Sequence, residues 1–140
     1  VSCANNKYEL NFNHPVKELV WVHEDTDAAV LNYKNNVTVS ALLKLNGHDR
    51  FRKRTGDYFR NVQRYQHHTG AEKNQIHVYS FALQPEEHQP SGTCNFSRID
   101  NAILEVNTGA AKPGANTNIY AMNYNVLRVM SGMGGLAYSN

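Results

Sequence analysis

The sequence predicts an all-β, antiparallel sandwich with one short helix. Three observations carry that expectation. Apolar and polar residues alternate with period two along most of the chain, turn-forming residues recur between the alternating runs, and only residues 57–65 change to a helical period. The 140 residues suffice for one domain with a modest core. A composition of 41% hydrophobic and 19% charged residues excludes the disordered and collagen-like classes. No run approaches the ~20 apolar residues that span a bilayer, and no secretory signal pattern is present. The chain opens Val1-Ser2-Cys3 without an initiator Met, as expected of a processed product or a fragment.

The elements follow in order. Tyr8 to Phe12 alternates strictly, as a half-buried strand requires. His14-Pro15 breaks it, because proline lacks the ladder donor. Val16 to Val22 resumes with apolar residues on both faces, which predicts burial on both, and Ala28 to Tyr33 is a further short strand. Val37 to Leu45 has Val37, Val39, Ala41, Leu43 and Leu45 on one face, with Leu42 among the polar residues opposite. Asn46-Gly47 then predicts a tight turn, since both residues tolerate positive φ. His48-Asp49-Arg50 offers no obvious partner strand, so the turn is expected to open an irregular excursion.

Tyr58, Phe59, Val62 and Tyr65 form a helical stripe, with Asp57 or Thr55 as its cap. Two turns of helix need a sheet to pack on. Ile76 to Leu83 is expected as a strand with His77, Tyr79, Phe81 and Leu83 on one face. Pro85, Pro90 and Gly92 make 84–92 a loop. Arg98 to Val106 is a strand, Asn107 to Asn118 a loop, and Ile119 to Met130 a long strand. Ser131-Gly132-Met133-Gly134-Gly135 is too glycine-rich for a regular strand, and Leu136 to Tyr138 is a short final one. About seven strands with uneven connections describe a sandwich, of which the jelly roll is one form.

The charged residues are unevenly placed. Residues 49–64 hold six cations against Asp49 and Asp57, a net +4, while the other eight cations and ten carboxylates sum to −2. The run Arg50-Phe51-Arg52-Lys53-Arg54 could touch phosphates, with Tyr58 and Phe59 to stack on bases. A solvated surface or salt bridges to a neighbouring subunit explain it more simply.

The sequence offers no catalytic constellation and no metal-ligand pattern. His67, His68, His77 and His88 are the best cluster, but adjacent strand residues point to opposite faces and no His-Glu-x-x-His or paired-Cys spacing occurs. Glu86 and Glu87 are neighbours in one loop, whereas catalytic carboxylates converge across a substrate. Ser91, Ser97 and Cys94 lack a nucleophile-elbow context or a positioned base. Cys3 and Cys94 are too few for a disulfide scaffold; one Cys3–Cys94 bridge is open to them, and the plain reading is two free thiols. Asn36-Val37-Thr38 and Asn95-Phe96-Ser97 match the glycan-acceptor triplet. Asn36 borders a loop, and Asn95 is expected in a packed segment. No cofactor is implied.

One stretch is more specific than any of these. His77-Val78-Tyr79-Ser80-Phe81-Ala82-Leu83-Gln84-Pro85-Glu86-Glu87-His88-Gln89-Pro90-Ser91-Gly92-Thr93-Cys94-Asn95-Phe96-Ser97-Arg98-Ile99-Asp100-Asn101 resembles a signature of the double jelly-roll major capsid proteins of nucleocytoplasmic large DNA viruses. So do Asn13 to Leu19, Tyr65 to Thr69 and Asn123 to Leu136, in the same order along the chain. The last segment is most similar to the algal and amoebal branch. The resemblance implies that residues 1–140 are the C-terminal portion of the second jelly roll of a longer chain, lacking its early strands and leaving a sheet edge and a core face uncovered. It further implies a non-enzymatic homotrimer forming pseudo-hexagonal capsomers of an icosahedral shell. Its contacts would be with neighbouring capsomers and minor capsid proteins, with no specific nucleic acid and only indirect contact with an inner membrane. It would be assembled in the host cytoplasm and reside in the virion. Arg50, Arg52, Lys53 and Arg54 then become a candidate intersubunit contact loop. A jelly-roll glycan-binding module is the alternative, and a cupin-like metalloenzyme the third.

Overall fold

The computed structural model describes residues 4–24, 38–70, 75–109 and 116–138. Its strands form two packed antiparallel sheets and a separate hairpin. In the first sheet β1 (Ala4–Glu9), β8 (Ala102–Thr108) and β3 (Thr38–Leu45) lie side by side. The two-residue strands β4 (His48–Asp49) and β5 (Arg54–Thr55) both pair with β3. The second sheet is built on β2 (Pro15–Glu24). Along one edge of β2 run β6 (His77–Ser80) and β7 (Cys94–Asn95), and along the other β9 (Asn116–Asn123). The hairpin is β10 (Leu127–Met130) with β11 (Met133–Leu136). This is the expected fold class, an antiparallel jelly-roll sandwich with one short helix.

Side chains from both sheets share one core. Leu19 and Trp21 of β2 and Tyr79 of β6 join Ala41 and Leu43 of β3 and Leu104 and Val106 of β8. Each large apolar side chain so buried contributes roughly 1.5–3 kcal/mol. Strand β8 shows the plainest alternation, with every second residue from Ala102 to Thr108 buried. Strand β2 departs from period two. A register shift between Val16 and Glu18 inserts one residue, so Val16 joins Leu19 and Trp21 in the core although it lies three positions from Leu19. The freed Lys17 carbonyl accepts from the N–H groups of Phe81 (2.9 Å) and Ala82 (3.2 Å). Val22 and Glu18 are buried too, as expected of a strand covered on both faces.

Several expectations are corrected. A second shift, between Thr38 and Ser40, turns Val39 out to 51% exposure and buries Thr38 instead. Asn46-Gly47 is a two-residue hairpin turn after all, both φ positive at 50° and 80°, and β4 is its short return strand. Strand β6 ends at Ser80, not Leu83, because the Ser80 hydroxyl donates to the Ala82 carbonyl (2.6 Å) and accepts from the Ala82 N–H (3.2 Å). Leu83 is 74% exposed. Residues 96–98 form a 3-10 turn before β8, and β8 runs on to Thr108. Residues 119–130 are not one strand. They break after Asn123, where the Asn125 side chain accepts from the Val126 N–H (2.7 Å) and donates to the Tyr138 carbonyl (3.0 Å). Ser131 (φ 51°) and Gly132 (φ 77°) then turn the chain, and Met133-Gly134-Gly135-Leu136 is a strand in spite of its glycines. The expected strand Ala28 to Tyr33 lies outside the described residues.

The helical segment begins with a π-helical turn, Tyr58–Val62, and continues as α1 (Gln63–His67). Its buried side chains are Phe59 and Gln63, four residues apart, whereas Tyr65 is 90% exposed. Thr55 belongs to β5, and the Asp57 side chain forms no cap bond. That residue is already helical (φ −62°, ψ −30°), and its carboxylate accepts from Arg60 at 2.8 Å. Gly56 lets the segment dock, since a Cβ there would overlap the Thr38 carbonyl.

Candidate functional site

The basic excursion is held at both ends and in the middle. Strands β4 and β5 flank it, and the Arg50 N–H donates to the Leu43 carbonyl (2.8 Å). Phe51 turns inward, its ring 4.7 Å from Tyr79 and 5.5 Å from Phe59 between centroids. Phe51 is therefore an anchor. Arg52, Lys53 and Arg54 rim a shallow groove of about 600 Å³ with Asp57, Tyr58 and Val62. Arg54 lies 5.1 Å over the Tyr58 ring, an attractive cation–π contact. Arg50 does not line this groove. Its charge acts on Tyr79 and Cys94, opposing the burial that pushes both groups up. Arg52 and Lys53 are exposed and form no ion pair among the described residues.

The 84–92 loop is rigid for reasons now visible residue by residue. Pro85 is fully buried beneath it. The Ser91 hydroxyl accepts from the Gln84 N–H (2.9 Å) and returns a longer bond to the Gln84 carbonyl (3.4 Å), closing the loop. Gly92 has φ +149°, and a Cβ there would sit 2.7 Å from the Phe81 carbonyl oxygen. Glu86 ties the loop to the end of α1. It accepts from the Thr69 N–H (3.1 Å) and the Thr69 hydroxyl (2.9 Å), and His68 Nδ1 lies 3.1 Å away. The Thr69 bonds, helped by His68, hold the Glu86 carboxyl below the usual carboxylate range. His68 Nε2 contacts the buried Glu18 at 2.8 Å, linking loop, helix end and β2. Glu87 and His88 are left exposed at the tip.

The four histidines weighed as a cluster therefore have separate duties. His67 bonds the Leu83 carbonyl (2.9 Å), His68 bridges two carboxylates, His88 is exposed, and His77 is in the core. His77 stacks on Trp21, with centroids 5.5 Å apart and planes 13° from parallel. Neither of its ring nitrogens makes a well-formed hydrogen bond, the Trp21 backbone offering only a weak polar contact. Burial, with smaller contributions from His23 and Arg60, lowers its pKa to about 3. His23, absent from any sequence motif, lies 6.0 Å away. Its ring meets the hydroxyls of Thr38 (2.6 Å) and Thr117 (2.9 Å), and burial lowers its pKa to about 4. Tyr8 also donates to Thr117 (2.9 Å), so a polar seam joins the two sheets. The sequence hid this seam, because alternation sets Thr38 opposite the apolar face of its strand and Thr117 lies in the expected 107–118 loop.

Asn95 proves exposed, contrary to expectation; the packed residue of its triplet is Phe96. The Asn95 side chain caps the Ser97 N–H (3.1 Å), and the Ser97 hydroxyl accepts from the His14 N–H (2.9 Å). Asn36 and Cys3 lie outside the described residues, and Cys94 forms no disulfide among the described residues. The hairpin β10–β11 lies within the Asn123 to Leu136 stretch that carries the resemblance, though its pairing departs from the single strand expected over 119–130. Leu127, Val129, Met130, Met133 and Leu136 are all exposed on it.

Residues 1–135 match the family model of the large eukaryotic DNA virus major capsid protein. The chain belongs to that family. Among its relatives is the major capsid protein of Pyramimonas orientalis virus, 51% identical over 98% of this chain and 40% of its own length. That of Chrysochromulina ericina virus is 64% identical over 99% of this chain and 25% of its own length. The solved structure of PBCV-1 VP54, fitted into a reconstruction of the virophage Sputnik, superposes with a TM-score of 0.86 at 38% identity. That match covers 99% of this chain and 47% of VP54. The capsid-family chain thus spans less than half the length of these relatives. The Faustovirus major capsid protein shares the fold alone, at 11% identity and a TM-score of 0.64.

Proposed function

We propose that this chain is the C-terminal portion of a capsid jelly roll, within a two-jelly-roll protein that forms the outer icosahedral shell of a large double-stranded DNA virus. The agreement with VP54 carries this reading, because a quasi-atomic model of the PBCV-1 capsid is matched along 98% of this chain with a TM-score of 0.84. The edges of β1 and β9 agree with it. Each pairs on one side only among the described residues, leaving a ladder that further strands of the parent protein would complete. On this reading three copies form a pseudo-hexagonal capsomer in contact with neighbouring capsomers and minor capsid proteins. The protein acts in the virion after cytoplasmic assembly and performs no catalysis. The rigid loop bearing Arg50, Arg52, Lys53 and Arg54 is an intersubunit contact. Asn95, which is exposed, is a glycan acceptor that peptide mass spectrometry of virions would find occupied; Asn36 rests on its triplet alone. Light-scattering mass measurement of the intact parent protein is expected to give a trimer. A monomer under assembly conditions would overturn the reading.

A further inference from the structure

Two rigid surfaces of opposite charge stand at the two ends of one helix. At its start is the groove rimmed by Arg52, Lys53 and Arg54. Asp57, the carboxylate in the groove, is already taken by Arg60. At its other end is the 84–92 loop, fixed by Ser91, Gly92 and the Glu86–Thr69 bonds. The loop presents Glu87, which forms no ion pair among the described residues. Ten helical residues, about 15 Å, separate the two surfaces. One copy therefore cannot pair them with each other.

We propose that the Arg52–Lys53–Arg54 groove of one capsid protein receives the Glu87-bearing loop tip of a second copy in the same trimer. The inference rests on the trimer reading above and names the partner of the basic loop. A closed ring needs two different, complementary patches on each subunit, and this helix carries such a pair. Both patches are held by backbone hydrogen bonds and core anchors, so docking them orders little new chain. The cations of the groove complement the Glu87 carboxylate, and that attraction steers copies into this head-to-tail contact. Nucleic acid fits less well. Tyr58 is covered by Arg54 and Phe51 is turned into the core, so neither ring beside the cations is free to stack on a base.

The test uses the full-length capsid protein and the concentration midpoint of trimer formation. Arg52→Glu combined with Lys53→Glu, and separately Glu87→Lys, are each expected to raise that midpoint by about tenfold or more. Combining all three restores the charge pairing in every interface and is expected to recover most of the loss. Recovery also shows that the single-site losses are not misfolding. A combined variant as weak as its parents would overturn the proposal, as would charge variants that assemble normally. Loss of single-stranded oligonucleotide binding with assembly unchanged would assign the groove to nucleic acid and likewise overturn it. In the first two cases a trimeric wild-type protein leaves the capsid reading standing, whereas a monomeric wild type removes both.

Discussion

Gly56 and Gly92 show how single positions fix this fold. At each, the missing Cβ lets one backbone approach another, the Thr38 carbonyl in the first case and the Phe81 carbonyl in the second. Gly92 adds a φ of +149°, which other residues adopt only under strain. Gly92→Ala is therefore expected to lower unfolding free energy by about 1–3 kcal/mol in denaturant titration. Asn46 combines two roles. It holds φ at 50° for the β3–β4 turn, and its side chain accepts from the N–H groups of Asp100 (3.0 Å) and Asn101 (3.2 Å). Asn46→Gly keeps the turn and loses the bonds; Asn46→Ala loses both. Alanine is expected to cost about 1 kcal/mol more than glycine in the same titration.

At the scale of elements, the Glu86 carboxylate joins the 84–92 loop to the end of α1. Glu86→Gln removes its charge and one of its acceptor oxygens, so hydrogen exchange at the Thr69 amide is expected to quicken while core strands keep their protection. The sequence made some elements legible and hid others. Strand β8 could be read because it alternates without interruption. The inner face of β3 was legible at Ala41 and Leu43 but not at Val39, because a bulge after Thr38 reverses which side Val39 occupies, and no residue type announces a bulge there. The end of β6 was hidden in a local competition, in which Ser80 bonds its own neighbour's backbone. The helix was legible, but its buried stripe is narrower than the pattern predicts, since the segment is short and only Phe59 and Gln63 of its described side chains are buried. The basic run was legible as a surface. That Phe51 anchors it, and that Arg50 leaves the groove, depended on contacts more than 25 residues away in sequence.

For the whole molecule, the seam between the sheets sets the response to acid. His23 and His77 are neutral when folded and have pKa values of about 4 and 3, against 6.5 in the unfolded chain. Below pH 6.5 the unfolded chain takes up protons that the folded one refuses, so stability falls as pH drops and levels off below the folded values. The loss is on the order of 2 kcal/mol per histidine by pH 5. His77→Phe keeps the ring beside Trp21 and removes one titrating group. Thermal melts between pH 7 and 4 are expected to show a shallower decline for that variant. The bulge at Lys17 reaches as far in another way. It is the extra residue that lets Val16 share one side of β2 with Leu19 and Trp21, so side chains there can be exchanged for others of similar size, but the spacing from Leu19 onward cannot change. Removing Lys17 would straighten the strand and keep those three on one face, whereas removing Val20 would turn every residue on one side of the cut to the opposite face. In a library of variants the stretch from Leu19 onward should accept many substitutions and almost no insertions or deletions, a frame fixed in length more strictly than in letters.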